Sequence, residues 1–412
     1  MSTEMSTGSL PLEGIRVTDF CHVWSGPHVT QWLAVMGAEV IKIESTLHPD
    51  LTRSFFAEGR TLMPGLNRSV DFAVLNYGKK SCTINMTLPE GRDLAKRLIR
   101  VSDVVTENFG GPVMERWGLN YPDLKELKPD IIMYSGSGFG RTGPYRESPA
   151  YAPIIDAFAG FTALNGYVDG EPVPFGIGGW TDLTAAQHGD FAILAALYHR
   201  SYTGEGQYID LSMTEVACAL LPDAFTDYAF NDRVMGLQGN QDIAMAPHGC
   251  YRCKGEDTWV AIAVSSDEEW RAMCEAIGKP LLAADERFRD SLNRWKNRKE
   301  LDGPVQEWTQ DKTPYEVTRV LQQAGVACAP SLSPQEVVQD PQLTERGFFA
   351  EIDQPEMGPV RLARLPWRPR HGPQGNYEHA PSIGEHNDYV FGELLHLPDE
   401  EIARLQEEQV IL

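Results

Sequence analysis

The sequence predicts an α/β protein built on a doubly wound parallel sheet, and three observations carry that expectation. Short apolar runs of strand character alternate with amphipathic segments of helical period through the first 135 residues. The first two runs and the segment between them span about 30 residues, the size of one βαβ unit. The helical segments also meet the residues that punctuate helices, with Gly37 closing the first and Pro89 opening the second.

Taken in order, Ile15–Phe20 and Ala38–Glu44 read as buried strands around a helix from Pro27 to Met36. A strand at Ser81–Met86, a helix at Pro89–Arg100 and strands at Asp103–Phe109 and Asp130–Ser135 extend the series. Prolines 144, 149 and 153 keep the next stretch extended over the surface. A helix over Pro153–Leu164, a glycine-rich turn at Phe175–Asp182, a helix over Leu183–His199 and a strand at Gln207–Leu211 follow. Beyond Arg233 the texture changes to one strand, Trp259–Val264, and helices at Glu268–Ile277, Arg298–Trp308 and Tyr315–Ala324. The expected organisation is a large domain over 1–232, a smaller α/β domain over 233–339 and a segment over 340–412 that returns to the large domain. That last segment holds a turn bounded by Pro355 and Pro359, a strand-like run at Val360–Trp367 and a polar loop at Arg368–His379.

Composition bounds the function. The 412 residues carry 36 basic and 58 acidic side chains, a formal charge of −22, which disfavours nucleic acid as a main partner. Apolar residues at 42% and charged ones at 23% describe a globular chain long enough for two or three domains. The richest apolar run, Phe191–Tyr198, is far short of the ~20 residues that span a bilayer, so no membrane is expected. The opening MSTEMSTGSLPLEG has neither the basic nor the apolar region of a signal peptide. Seven scattered cysteines are no disulfide framework, and a cytoplasmic protein with reduced thiols is the expectation.

Few motifs survive their context. Gly138-Phe-Gly140-Arg-Thr-Gly143 satisfies G-x-G-x-x-G, but the prolines that follow prevent the helix a bound pyrophosphate needs, which leaves a tight backbone turn. His248-Gly-Cys250-Tyr-Arg-Cys253 offers one C-x₂-C step with no second pair, so no metal is expected. Ser137 lacks the glycine two residues before it that a nucleophile elbow requires. Asp182 stands at the mouth of a long helix after a glycine-rich turn, where it serves as a helix cap or as a carboxylate poised beside oxyanion donors. Asp190 reads as a solvated helix position, as do Arg97 and Arg100, whereas Arg53, Lys79, Lys80 and Arg116 are candidate cations for a compact anion.

Longer stretches carry a family likeness. Pro11–Pro27 (PLEGIRVTDFCHVWSGP), Leu33–Glu44 (LAVMGAEVIKIE), Leu75–Ser81, Asp103–Leu119, Gly138–Pro144, Thr181–Met213 and Pro247–Gly255 resemble, in this order, the family III CoA-transferases of the CaiB/BaiF group. The resemblance implies a Rossmann-like large domain with a parallel sheet, a smaller α/β domain and two subunits interlocked as a homodimer. It implies transfer of CoA from an acyl-CoA thioester, with succinyl-CoA as the expected donor, to a carboxylic acid. No permanently bound cofactor and no metal take part. Asp182 matches the family's nucleophile, with Gly178 and Gly179 as neighbouring oxyanion donors. His22, Val23, Ser25, Leu75, Lys79, Asn108, Phe109 and Arg116 match its CoA-binding positions, and Trp24 and Tyr151 are aromatic candidates for the acyl pocket.

The chain departs from family patterns at four places. Ser45 stands where some members have arginine, and Ser137 where oxalate-specific members have lysine. No run of four glycines precedes Pro247, and Ala150-Tyr151-Ala152 replaces a Gly-Tyr-Asp turn. These differences argue against oxalate or formate as substrate. An acyl-CoA racemase on the same fold would need a second base, and Tyr151, with an ordinary pKa of about 10, is a poor one. An intramolecular CoA-transferring isomerase and a CoA-binding subunit of a heteromeric transferase are compatible with the same residues.

Overall fold

The computed structural model describes residues 9–54, 65–174 and 179–412. The chain forms two compact units, one from the residues up to Phe161 with Pro174–Asp232 and Glu345–Leu412, the other from Thr162–Val173 with Arg233–Thr344.

In the first unit β1 (Arg16–Asp19), α1 (Ser25–Val35) and β2 (Glu39–Glu44) make the opening βαβ step. Next come α2 (Val70–Asn76), β3 (Lys80–Thr83), α3 (Pro89–Arg100), β4 (Val104–Glu107), α4 (Val113–Trp117) and β5 (Ile132–Ser137). Then follow α5 (Ala152–Ala159), α6 (Trp180–Thr203), β6 (Tyr208–Ser212), α7 (Met213–Ala219) and α8 (Pro222–Asn231). The six strands form one sheet in the order β3-β2-β1-β4-β5-β6, with every neighbouring pair parallel. Alternation along the strands splits the core in two. Val17, Val40, Val104 and Ile132 pack with α1 and α6 through Val29, Leu33, Ala185 and Ile193. Ile41, Cys82, Val105 and Met133 pack on the other face against Leu94, Leu98 and Ile99 of α3.

Sequence signals explain the boundaries. Pro89 sits in the first turn of α3, where its missing N–H costs nothing. Gly37 follows α1 at φ +103°, and a Cβ there would lie 2.4 Å from that of Leu10, so both conformation and space require glycine.

In the second unit β7 (His248–Arg252), β8 (Trp259–Ala263) and, later in the chain, β9 (Ala327–Ser331) form an antiparallel sheet in that order. It packs with α9 (Asp267–Ala276), α10 (Arg298–Thr309) and α11 (Pro314–Gln323) through Trp270, Met273, Val305, Val317 and Leu321. Only β8 of these strands is legible from apolar patterning. β7 mixes His, Cys, Tyr and Arg, and β9 contains a proline, which sits on an edge strand as it must.

Two expectations are corrected. Residues 162–173, placed in the large domain by sequence, belong with the second unit, where the Gly239 N–H donates to the Gly166 carbonyl at 3.0 Å. That unit also runs to Thr344, past the expected limit at residue 339. The strand-like run at Val360–Trp367 is β11 (Gly358–Ala363), which pairs antiparallel with β10 (Phe349–Gln354) in a separate hairpin. The chain closes with α12 (Asp399–Glu407) against the α3 face through Leu405.

Candidate active site

The strand order reverses direction between β1 and β4, so the loops leaving their carboxyl ends diverge and open a crevice. Those loops are His22–Trp24 and Asn108–Gly111. Asn108 stitches them together: its Oδ1 accepts from the His22 N–H at 2.8 Å and its Nδ2 donates to the His22 carbonyl at 2.8 Å. Val23 adopts φ +68°, a strained conformation for a β-branched residue. Its N–H donates to the Asp50 carboxylate at 3.1 and 3.3 Å, and Asp50 is paired at 3.1 Å with Lys42, which also donates to the Cys21 carbonyl. Strain of this kind persists where the surroundings over-determine the backbone, and here a buried ion pair does so.

Val23, Trp24, Ser25, Asn108, Phe109 and Gly110 line one side of a pocket, while Ser137, Gly138, Phe139, Tyr151, Asp182 and Met213 line the rest. Asp182 enters it from the first turn of α6. The residue capping that helix, Gly179, has φ +97°, and a Cβ on it would lie 2.9 Å from the Trp24 ring. Glycine is therefore required twice over, for its dihedral and for its contact with Trp24. The Ser25 backbone N–H, at the start of α1, faces the Asp182 carboxylate and favours its charged form. The acid thus sits in the first turn of one helix and against the first turn of another, both favourable to negative charge. Burial and the neighbouring Asp156 outweigh that help and push its pKa to about 6, so it remains mostly ionised at neutral pH.

Other polar groups nearby are left unsatisfied. The Ser25 and Ser137 hydroxyls, both buried in the pocket wall, find no partner among the described residues. Asp156 on α5 is buried with one carboxylate oxygen unpartnered among the described residues, and burial pushes its pKa up. Asp190 is 4% exposed, its carboxylate has no partner among the described residues, and burial drives its pKa well above the ordinary value. The expectation of a solvated Asp190 is therefore corrected. α6 approaches the sheet so closely that a Cβ on Gly189 would lie 2.9 Å from Tyr134, and Asp190 is carried inside with it.

A second, more apolar pocket lies along the same sheet edge, lined by Phe20, His22, Ile43, His48, Ile84, Met86, Phe109 and Trp117 among others. Phe109 belongs to both pockets, packing against His22 at 5.6 Å and edge-on to Trp117 at 5.4 Å between ring centroids. Burial lowers the His22 pKa although Asp50 pulls it the other way, so this imidazole is neutral. Arg116 is exposed on α4, next to Trp117.

Several sequence candidates lie elsewhere. Lys79 is buried and bonded to Asp19 at 3.2 Å, the Pro27 carbonyl at 2.8 Å, Thr30 at 2.7 Å and Asn76 at 2.9 Å. Its place in the sheet explains this: β3 pairs with Lys80 opposite Ile41, so Lys79 enters below the carboxyl edge and ends beneath α1. Leu75 is likewise buried, on α2. Neither lines the two pockets. Arg53, a candidate cation, is buried in a two-pronged pair with Glu44 at 2.7 and 2.8 Å and lies over the Phe72 ring. Tyr151 is 62% exposed at the pocket mouth. Gly178 and Phe175 lie outside the described residues. Among the described residues no group of three or more His, Cys, Asp or Glu side chains could hold a metal ion, and no helix is long and apolar enough to cross a membrane.

Sequence reasoning misses Asp156 altogether, and it weighs Ser137 as a nucleophile elbow and as a lysine replacement but not as an unpartnered hydroxyl in the pocket wall. Neither has a motif, and their signal is a buried polar group without a partner, which only three dimensions reveal.

Comparison with known proteins agrees with this crevice-bearing fold. The profile described as CoA-transferase family III matches residues 12–387. Succinyl-CoA–D-citramalate CoA-transferase of Chloroflexus aurantiacus is 32% identical over 401 residues, 97% of this chain and 98% of that protein. The succinyl-CoA–L-malate CoA-transferase alpha subunit of Chloroflexus aurantiacus is 33% identical over 402 residues, 98% of this chain and 93% of that one. The crystal structure of a CaiB/BaiF family protein from Brucella suis superimposes with a TM-score of 0.84 at 31% identity, covering 94% of this chain and all of that one. The chain belongs to the CoA-transferase family III. It is a CoA-transferase, with CoA thioesters as substrates.

Proposed function

We propose that this enzyme moves CoA between carboxylic acids through covalent intermediates on Asp182, with succinyl-CoA as donor. The observation that carries the reading is the Asp182 carboxylate itself: it lines a crevice pocket in the first turn of α6, beside the Ser25 N–H at the start of α1, and is mostly ionised at neutral pH.

A carboxylate oxygen of Asp182 attacks the donor thioester carbon. The C–S bond breaks, giving a mixed anhydride and CoA thiolate. The thiolate then attacks the aspartyl carbonyl, the anhydride C–O bond breaks and the donor acid leaves as its carboxylate. An aspartyl-CoA thioester remains. The acceptor carboxylate attacks this thioester, expels the thiolate and forms a second anhydride. Thiolate attack on the acceptor carbonyl releases the new acyl-CoA and restores Asp182. No net proton is taken up, so the site needs oxyanion donors and dryness more than a base. The Ser25 N–H and the two unpartnered hydroxyls, Ser25 and Ser137, supply donors at the pocket wall. His22, Phe109 and the apolar pocket beside them suit the adenine of CoA, and Arg116 its phosphates.

Succinyl-CoA as donor is supported by the names of two relatives, and a dicarboxylic acid is the matching acceptor class. An interlocked homodimer is the proposed assembly. Phe191, Tyr198 and Tyr202 on α6 and Phe225, Tyr228 and Phe230 on α8 are exposed, an apolar surface of the kind a partner covers. A heteromer is the second reading, favoured by the relative named as an alpha subunit. Light scattering of the purified chain, alone and in cell extract, separates the two.

The test is a CoA-exchange assay of Asp182→Ala and Asp182→Asn proteins shown to be folded. Removal of a covalent nucleophile is expected to lower kcat by at least ~10³-fold, within the range seen for such groups. Exchange at the parental rate would overturn the reading.

A further inference from the structure

The Gly138–Gly143 turn has the glycine spacing of a nucleotide fingerprint, yet no helix starts until Ala152. Its backbone is anchored elsewhere. The Gly138 carbonyl accepts from both the N–H and the hydroxyl of Thr214 on α7, at 2.9 and 2.7 Å. The Arg141 N–H donates to both carboxylate oxygens of Asp210 on β6, at 2.9 and 3.1 Å. Gly140 has φ +80°, and a Cβ on Gly138 would lie 2.4 Å from that of Ala150, so the turn is bound tightly to its own side of the crevice.

The side chain of Arg141 leaves that side and crosses to the other. Nη1 donates to the Gly111 carbonyl at 2.9 Å and Nη2 to the Phe109 carbonyl at 2.9 Å. Nη2 also meets both oxygens of Glu107 at 2.5 and 2.6 Å. Glu107 is 1% exposed, and its Oε2 accepts the Phe109 N–H at 2.9 Å. One guanidinium therefore fixes the N–H and C=O of Phe109 and the C=O of Gly111, directly or through Glu107. Phe109 and Gly110 from the loop after β4 and Gly138 and Phe139 from the turn after β5 both line the Asp182 pocket. Arg141 does not line that pocket; it ties the loop and the turn together. Phe109 is also the partition shared with the apolar pocket, so its position sets the width of both.

We propose that Arg141 is a positioning residue for CoA: it clamps the loop after β4 to the turn after β5 and so sets the width of the channel through which the pantetheine arm reaches Asp182. The proposal rests on the reading that this crevice holds the thioester. Lysine cannot replace the clamp, because a single ammonium lacks the planar fork that meets two carbonyls and a carboxylate together. Simple truncation would also leave Glu107 buried without its counter-charge, which destabilises in its own right.

Two variants avoid that confusion. Arg141→Lys keeps the charge, and the double variant Arg141→Gln/Glu107→Gln removes the pair together. In exchange assays both are expected to raise the KM for acyl-CoA about tenfold, keep kcat within about threefold and leave the KM for the acceptor acid unchanged. In an Asp182→Asn background, calorimetry with free CoA should show a Kd weakened by a similar factor. Because that second measurement uses no turnover, failure of the Asp182 reading and failure of this one are told apart. Unchanged KM and Kd for CoA in either variant would overturn the proposal. So would a fall in kcat alone, or a parallel loss in both substrates that tracks a lowered thermal midpoint.

Discussion

Two regions around the large sheet treat buried charge in opposite ways. On the β1-β2-β3 side three ion pairs are fully enclosed, Lys79 with Asp19, Lys42 with Asp50 and Arg53 with Glu44, and no side chain among them is exposed. Hydrogen bonds satisfy the remaining capacity, as with the three contacts of Lys79 besides Asp19. On the α5-α6 side Asp156 and Asp190 are buried acids without an ion-pair partner among the described residues, and Asp182 has no cation among the causes of its shift. The first arrangement is scaffold: each charge is neutralised, so the group is inert and the loops it holds are rigid. On the proposed reading the second leaves Asp182 poised, because an ionised carboxylate held without a counter-ion is a better nucleophile and loses its charge readily on acylation. The lesson is that, in this fold, a carboxylate's reactivity is legible from what it lacks.

The contrast can be broken by changing one group on each side. Lys79→Met should be the most damaging to the fold, since it takes the paired cation from the buried Asp19 and leaves its charge to the hydrogen bonds from Cys21, Thr30 and Thr106; a loss of about 3–5 kcal/mol in urea unfolding is expected. A loss below about 1 kcal/mol would mean that Asp19 is satisfied by other groups and that the pair is not scaffold.

Asp182→Asn should have the opposite sign. The carboxyl titrates near 6 in the fold and at 3.8 ordinarily, so its ionisation opposes folding. That penalty is absent below pH 4, grows between 4 and 6 and is complete above 6. The variant is therefore expected to gain about 3 kcal/mol at pH 8 and nothing at pH 3.5. Equal stability of parent and variant at both pH values would remove the claim that this acid is held against its preference.

The same raised pKa sets a smaller, kinetic effect. The nucleophile must be ionised, so kcat/KM for acyl-CoA should fall on an acid limb centred near pH 6, about tenfold below its plateau at pH 5. A limb centred near pH 4 would show that neither burial nor Asp156 raises Asp182, and an Asp156→Asn protein should move the limb part of the way in that direction.

Much of this architecture is legible in the sequence because local signals and tertiary context agree. Apolar runs mark β1, β2 and β4, Pro89 starts α3 at its first residue, and Asp182 stands out by its place after a glycine turn. Other features escape because the signal is not local. Lys79 looks like a free cation in a loop, and only parallel register shows it entering the sheet beneath α1. Asp190 looks solvated because nothing in its neighbours announces that Gly189 lets the helix touch Tyr134. β7 and β9 are edge strands of mixed composition, so no period reveals them. Arg141 sits inside a motif whose familiar meaning concerns phosphates, while its side chain grips the backbone of a loop some 30 residues earlier.

The most direct measurement is chemical capture of the enzyme at work. The purified protein, incubated with succinyl-CoA, is quenched with borohydride, digested and sequenced by mass spectrometry. Reduction of an aspartyl-CoA thioester converts that one side chain to homoserine at position 182, dependent on the CoA donor and absent without it. A protein that exchanges CoA in the same tube yet carries an unmodified aspartate there, or a reduced acid at another position, contradicts the account.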